Sequence, residues 1–323
     1  MIVEQIRAAV RDAGLLGGND DLPTRPVVTM LSGGRDSVCL LDVAVALRTA
    51  GSVRALHVNY GLRGAESDAD ERHCAALCEA LGVELEVVRA SRAQGEVGNL
   101  QAWARDVRYG AAIELAEREN ALVAAGHTAS DQVETILYRL AASPGRRALL
   151  GMRAVEGRLV RPLLGVTREQ TGAYCEARGL RWREDASNDS GAYARGRVRH
   201  GLGAALRAVH PAAEANVLRT AELLREETEL LDGLVADTLA GGRSIEIARL
   251  GELEPALARL VVVRLAEQAA GTYVPQAGDR VQEILALGRR GAAGGGRLEV
   301  HVGGNVSARI ENGVLSMVRL PPR

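Results

Sequence analysis

Between Pro26 and Leu47 the chain changes character twice within a few residues. Val27, Val28, Met30 and Leu31 form an apolar run short enough for a buried strand, and Val38–Leu47 (VCLLDVAVAL) is apolar enough for a helix packed on a sheet. They are joined by Ser32-Gly33-Gly34-Arg35-Asp36-Ser37, whose two glycines allow conformations and close approaches that a Cβ would forbid. Ser32, Ser37 and the free N–H groups of the first helical turn then face outward. A helix start of this kind carries partial positive charge and suits a phosphate.

The loop is not G-x-x-x-x-G-K-[ST], because it has no lysine. The whole chain in fact lacks lysine, and all 40 of its cations are arginine. Asp36 beside a phosphate would repel it unless the carboxylate held a divalent cation, so Mg²⁺ is expected at Asp36. The pattern S-G-G-x-D-S resembles the PP-loop of the ATP pyrophosphatases, which cleave ATP between its α and β phosphates. The plainer alternative is a glycine turn that only joins strand to helix.

Strands and helices continue to alternate beyond this point. Strands are predicted at 53–60, 83–88 and 121–125, and helices at 66–81, 99–119 and 131–140. That order indicates an α/β fold with a doubly wound parallel sheet, whose ligands bind at the carboxyl ends of the strands. The Ser32–Ser37 loop and the His127–Glu134 segment both fall at such ends and can face one pocket. A helix is predicted over 167–178, and an amphipathic helix with an acidic outer face over 211–239. After Gly241-Gly242 come a short strand (Ile245, Ile247) and helices at about 254–270 and 276–288. A flexible loop is expected at 291–296. Last comes a hairpin pairing 297–310 with 314–318 across Glu311-Asn312-Gly313. The division expected is a catalytic domain over 1–210, a linker helix over 211–240 and a small α+β domain over 241–323.

A length of 323 residues suits two domains, and with no Phe the core must be aliphatic. The net charge of −1 hides a strong asymmetry: residues 146–210 hold 13 Arg against 6 acids, while residues 1–145 hold 14 against 20. The basic stretch is a footprint for nucleic acid, or else a solvated arginine-rich face. Cys39, Cys74, Cys78 and Cys175 form no C-x-x-C and have poor zinc spacing, so core thiols are expected. No leader or membrane-spanning run is visible, which predicts a cytoplasmic protein.

Asp131 and Glu134 lie three apart at a helix start and share a face, with His127 one turn earlier. Two carboxylates and an imidazole beside an ATP loop can hold metal, recognise an ammonium group or assist proton transfer. Helix-dipole and core roles are the ordinary alternatives. Arg105 and Arg108, also three apart, can neutralise a phosphoryl group in transfer, or simply line a salt-bridged surface.

Several segments in order resemble the tRNA(Ile)-lysidine synthetases. They are the PP-loop, His57-Val58-Asn59-Tyr60-Gly61-Leu62-Arg63, Asn99 through Tyr109, Ala125-Gly126-His127 through Glu134, Arg161-Pro162-Leu163-Leu164, and Asp185-Ala186-Ser187-Asn188 followed by Tyr193, Arg195 and Arg199. The resemblance implies that free L-lysine is joined to C2 of the wobble cytidine of tRNA(Ile) bearing a CAU anticodon. An adenylated cytidine is the intermediate, and AMP and pyrophosphate are released. It further implies that Ser32, Gly33, Gly34, Arg35, Asp36, Ser37 and His57 bind ATP and Mg²⁺. Asp36, Arg105, Arg108, His127, Asp131 and Glu134 would act at the reacting centre. Asp185, Asn188, Arg195, Arg197 and Arg199 would meet tRNA, the small domain would select the tRNA body, and a homodimer is left open. Another PP-loop tRNA enzyme, such as a 2-thiolase, is the alternative, although a thiolase wants a cysteine pair. Tyr60 departs from the family pattern, which often has a second histidine there, and Gly196 stands in place of an asparagine. Ala141 to Gly145 replaces a more glycine-rich loop.

Overall fold

The computed structural model describes residues 1–17, 25–49, 51–92, 98–142, 145–184, 194–294 and 297–321, the side chains of 194–195 and 291–294 excepted. The chain divides into two compact units, Met1–Ala221 and Glu222–Arg323.

The first unit opens with helix α1 (Ile2–Asp12), whose Ile6 and Val10 are buried. There follow β1 (Val27–Met30), α2 (Arg35–Leu47), β2 (Val53–Asn59), α3 (Ala65–Leu81), β3 (Glu84–Arg89), α4 (Leu100–Arg118), β4 (Leu122–Ala124) and α5 (Ala129–Ala142). A short hairpin, β5 (Val155–Glu156) and β6 (Leu159–Val160), then leads to α6 (Arg168–Ala177). The strand order is β3-β2-β1-β4-β6-β5. β1, β2, β3, β4 and β6 are parallel, and β5 runs antiparallel at the edge. The chain leaves β1 on one side for β2 and β3 and returns on the other for β4. The gap between the carboxyl ends of β1 and β4 is therefore the switch point where such sheets bind ligands.

Both faces of β1 are covered, as its unbroken apolar run requires. On one face Val27 and Leu31 join Val38, Leu41, Ile6 and Tyr174, and on the other Val28 and Met30 join Leu56, Val58, Ala112 and Leu115. On the first face α1, α2 and α6 are held together by a buried acid. Asp42 of α2, 2% exposed, accepts from the Tyr174 hydroxyl at 2.6 Å and from two nitrogens of Arg178 at 3.0 and 3.1 Å, with Arg7 at 3.7 Å.

After α6 the described chain resumes with α7 (Ala194–Arg197), a π-helical turn (Val198–Gly203) and α8 (Ala204–Val209). Helix α9 (Ala213–Leu239) begins in the first unit and ends in the second. The second unit continues with β7 (Ser244–Glu246), α10 (Ile247–Glu252), α11 (Pro255–Ala270), α12 (Val281–Gly294), β8 (Leu298–Gly303), β9 (Val306–Glu311) and β10 (Val314–Arg319). Its antiparallel sheet has the order β7-β10-β9-β8, and Leu250, Val261, Val262, Leu265, Ile284, Val306 and Leu315 fill its core.

Three expectations are corrected here. Ile247 begins a helix rather than extending the strand at Ile245. The predicted strand over 297–310 is two strands, because Gly303 and Gly304 at φ +96° and +58° and Asn305 at +55° turn the chain. Asn312-Gly313 makes the second turn, as its residue types indicate. Residues 291–294 of the expected loop continue α12 instead. Among the described residues no helix is long and apolar enough to cross a membrane.

Replacing Tyr174 by Phe takes the one neutral donor from a buried carboxylate that keeps its arginines. Stability should fall by about 1–3 kcal/mol, read from the shift of the urea unfolding midpoint.

Candidate functional site

The loop after β1 is arranged by its own hydroxyls. The Ser37 Oγ–H donates to the Gly34 carbonyl at 2.8 Å and accepts from the Ser32 N–H at 3.2 Å, while Gly34 N–H donates to Ser32 Oγ at 3.3 Å. Gly33 has φ +82°, and a Cβ there would press on Cys74 Sγ at 3.3 Å and His73 at 3.4 Å. Gly34 is the N-cap of α2, so the first N–H groups of that helix open onto the switch point. Beneath the loop His57, 4% exposed, donates from Nδ1 to the Leu31 carbonyl at 2.9 Å.

The second loop, after β4, comes against the first through Gly126. A Cβ on Gly126 would stand 3.1 Å from the Asp36 carbonyl oxygen and 3.2 Å from Ser37 N, both backbone atoms. Thr128 and Asp131 then start α5: Asp131 Oδ2 accepts from the Thr128 N–H at 2.8 Å and its hydroxyl at 2.9 Å. Helix α6 joins the same point, since Ala129 N–H donates to the Val166 carbonyl at 2.8 Å and Arg168 N–H to Ser130 Oγ at 3.3 Å. Three helix starts thus meet beside the ends of β1 and β4.

Arg168 links them electrostatically. Its guanidinium lies 2.8 Å from Asp131 Oδ1, 3.2 Å from Glu134 Oε1 and 3.6 Å from Asp36 Oδ2. The Thr171 hydroxyl donates to Asp36 Oδ1, and Arg199, on the π-helical turn, grips Glu134 through Nε at 2.6 Å and a second nitrogen at 3.2 Å. Burial raises the pKa of Asp36 and the nearby charge of Asp131 adds to this; the Thr171 hydrogen bond, Arg168 and Arg35 oppose it. Asp36 offers a hard oxygen whose ionised form a divalent cation would relieve. Mg²⁺ commonly takes one or two carboxylates and completes its shell with substrate phosphates and water. The residues fit that mode. Among the described residues no group of three or more His, Cys, Asp or Glu forms a ready-made metal site, so the nucleotide would bring the remaining ligands.

A cavity of about 270 Å³ opens beside Glu134. Its wall carries guanidinia (Arg168, Arg199, Arg207), carboxylates (Glu134, Glu169, Glu214) and an apolar side of Val133, Leu137 and Val198.

The expected site residues are thus distributed unevenly. Ser32, Gly33, Gly34, Asp36, Ser37, Asp131 and Glu134 gather at the switch point, with His57 under the loop and half-buried His127 between Gly126 and Thr128. Arg35 lies 3.8 Å from Asp36. Arg105 and Arg108 lie on α4 against the Tyr109 ring, at 4.4 and 5.6 Å from its centre. Arg199, expected at tRNA, has its guanidinium on Glu134, while Arg197 is exposed. Asp185, Asn188 and the Arg195 side chain lie outside the described residues. Sequence reasoning missed Arg168 and Thr171. The signal was the Thr167-x-x-Gln170 capping box, which starts α6 and fixes where both residues point. The four cysteines are buried, and burial pushes the Cys74 and Cys78 thiols up to about 12 and about 11.

Comparison with known proteins bears on the family and the fold. Residues 7–206 match the family model described as the PP-loop domain. A tRNA(Ile)-lysidine synthase of Dehalococcoides mccartyi is 34% identical over 84% of this chain and 61% of its own length. Another, of Pseudomonas fluorescens, is 39% identical over 71% of this chain and 55% of its own. The chain therefore spans little more than half the length of these curated relatives. Among solved structures, the U34-tRNA thiolase NcsA of Methanococcus maripaludis shares the fold, with a TM-score of 0.58 and 19% identity over 69% of this chain and 79% of that one.

Asp36→Asn tests the electrostatics. A carboxylate whose pKa is higher folded than unfolded costs stability only where it is ionised, so the cost is absent at low pH and complete above the folded pKa. In metal-free buffer the variant should melt above the parent at pH 8 and converge with it as the pH falls towards 4. Gly126→Ala should instead lose about 1–3 kcal/mol at every pH, because two backbone segments must separate; thermal unfolding across that range reads both.

Proposed function

The chain belongs to the PP-loop domain family, and from that premise we propose that it is an ATP-dependent ligase that joins free L-lysine to the wobble cytidine of tRNA(Ile) with a CAU anticodon. The observation that carries this reading is the Arg168 cluster. It sets a phosphate-type loop and a pair of amine-type carboxylates side by side, next to a cavity of mixed charge.

In this reading the N–H groups at the start of α2, with Ser32 and Ser37, hold the phosphates of ATP. Mg²⁺, when bound with the nucleotide, would be held by Asp36 and would lower the charge of the phosphates. The C2 oxygen of the cytidine attacks the α phosphate and pyrophosphate leaves, giving an adenylated base. The amine of lysine then attacks C2, and AMP leaves. Glu134 and Asp131 offer the carboxylates that an ammonium group needs, and His127 stands within the same segment to accept its proton. The arginines and the apolar wall of the cavity suit the carboxylate and the aliphatic stem of an amino acid. Arg197 and the basic stretch around it would meet phosphates of the RNA, and the second unit would contact the tRNA body.

Sulfur transfer is less well supported. By way of a cysteine it needs a reactive thiolate, whereas all four cysteines are buried and burial shifts the Cys74 and Cys78 thiols up, out of the ionising range at neutral pH.

The direct test is incubation with unmodified tRNA(Ile), ATP, Mg²⁺ and labelled lysine. Label should enter the RNA with release of AMP and pyrophosphate; release of orthophosphate, or no label, overturns the reading. Asp36→Ala should abolish pyrophosphate release. Arg168→Ala should lower single-turnover lysine transfer by about 10²-fold or more, the usual scale for losing a preorganised charge at the reacting centre. Arg197→Ala should raise the Kd for tRNA and make its salt dependence shallower by about one phosphate contact.

A further inference from the structure

The chain has only two Trp and six Tyr, and no Phe, yet two of these rings meet, and a third lies on the same helix, outside the cluster just described. Tyr60 follows β2 directly, and Trp103 and Tyr109 lie in the first three turns of α4. The Tyr60 and Trp103 rings meet edge to face, 5.8 Å apart at 61°, and the Tyr60 hydroxyl donates to the Ala104 carbonyl at 2.9 Å. Arg105 lies over the Tyr109 ring and Arg108 beside it. The charge of Arg108 also reaches Tyr60.

Tyr60 and Tyr109 pack on one side against the second core face, but position and exposure leave them half-covered at the edge of the sheet. β2 runs parallel to β1, so Tyr60 emerges at the same edge of the sheet as the phosphate loop. Helix α4 returns from β3 to β4, so its first turns stand at that edge too. The three rings are only half-buried and Arg105 is exposed. Among the described residues the Tyr109 hydroxyl and Arg108 Nε, both buried, have no hydrogen-bond partner. Aromatic faces beside guanidinia are what an unpaired nucleotide needs: the rings take the base and the cations take its phosphate.

We propose that Tyr60, Trp103 and Tyr109, together with Arg105 and Arg108, form a stacking shelf for an unpaired RNA nucleotide next to the one that reacts. This rests on the RNA-substrate reading above. The shelf would hold the loop open on one side of the site while the reacting base lies at the switch point. Stacking tolerates any base, so the shelf contributes affinity and placement rather than sequence choice.

The test uses the whole chain and a synthetic anticodon-arm hairpin with a CAU loop. Trp103 emission is isolated as the difference between the full chain and Trp103→Leu, which cancels Trp182. The hairpin should quench that difference signal and ATP with Mg²⁺ should not. Trp103→Leu should weaken hairpin binding by about 5- to 150-fold, the range for losing one base–aromatic stack, without changing the salt slope. Quenching by ATP alone would assign the rings to adenine, hairpin binding indifferent to Trp103→Leu would assign them to packing, and absence of hairpin binding would remove the RNA; each overturns the proposal. Should Trp103→Leu not fold, ultraviolet cross-linking of a bromouridine-substituted hairpin to the unaltered chain decides. Adducts on the 100–109 peptide or at Tyr60 support the shelf, and adducts confined elsewhere refute it. Neither measurement requires turnover. Quenching without lysine incorporation would therefore retire the ligase reading alone, and incorporation without quenching would retire the shelf alone.

Discussion

Three carboxylates from two helices cannot share a water-poor cleft in ionised form unless cations stand between them. Asp36, Asp131 and Glu134 satisfy this condition through Arg168, which contacts all three, and through Arg199, which holds Glu134 from the far side. The arrangement depends on where α2, α5 and α6 begin. Each start is fixed by a local device: the N-cap at Gly34, the Thr128–Asp131 pair and the Thr167–Gln170 capping box. A shift of one residue at any of them would rotate its charged side chain by about 100° around its helix and break the balance.

The scaffold supplies the precision that such a balance needs. The centre of the parallel sheet is buried on both faces, and on one of them Asp42 ties α1, α2 and α6 through Tyr174, Arg178 and Arg7. That second buried charge network lies about two turns further along the same two helices that carry Asp36 and Arg168. Since α2 and α6 are anchored there, their starts are held in fixed relation at the phosphate loop. The chain has therefore placed its costly buried charges where they position a site, and has left most of the interior to small aliphatic side chains.

Much of the first unit could be read directly from residue types. The apolar run before Ser32, the glycine pair and the alternation of strand and helix require a parallel sheet with a phosphate-type loop, because backbone conformation and face periodicity are local properties. For the same reason Asn312-Gly313 announced its turn. Gly303-Gly304-Asn305 was no less local, but the β-type residues around it hid a break whose tightness comes from Val274 and Gln276 packed against it. The run at 291–294 reads as a loop by glycine content, yet it continues α12, whose Val281 and Ile284 are packed into the core.

What the sequence by itself determined, then, is the loop, the order of the sheet's elements and the set of residue types able to handle ATP and an amine. Tertiary structure alone decided which charges meet. Arg168 and Thr171 stand more than 130 positions after Asp36, and only the packing of α6 against α2 brings them to it. Likewise Arg199, one arginine among many in a basic stretch, takes its place on Glu134 because a π-helical turn presents it there. Pairing between distant charges follows from the way helices pack, and no spacing along the chain encodes it.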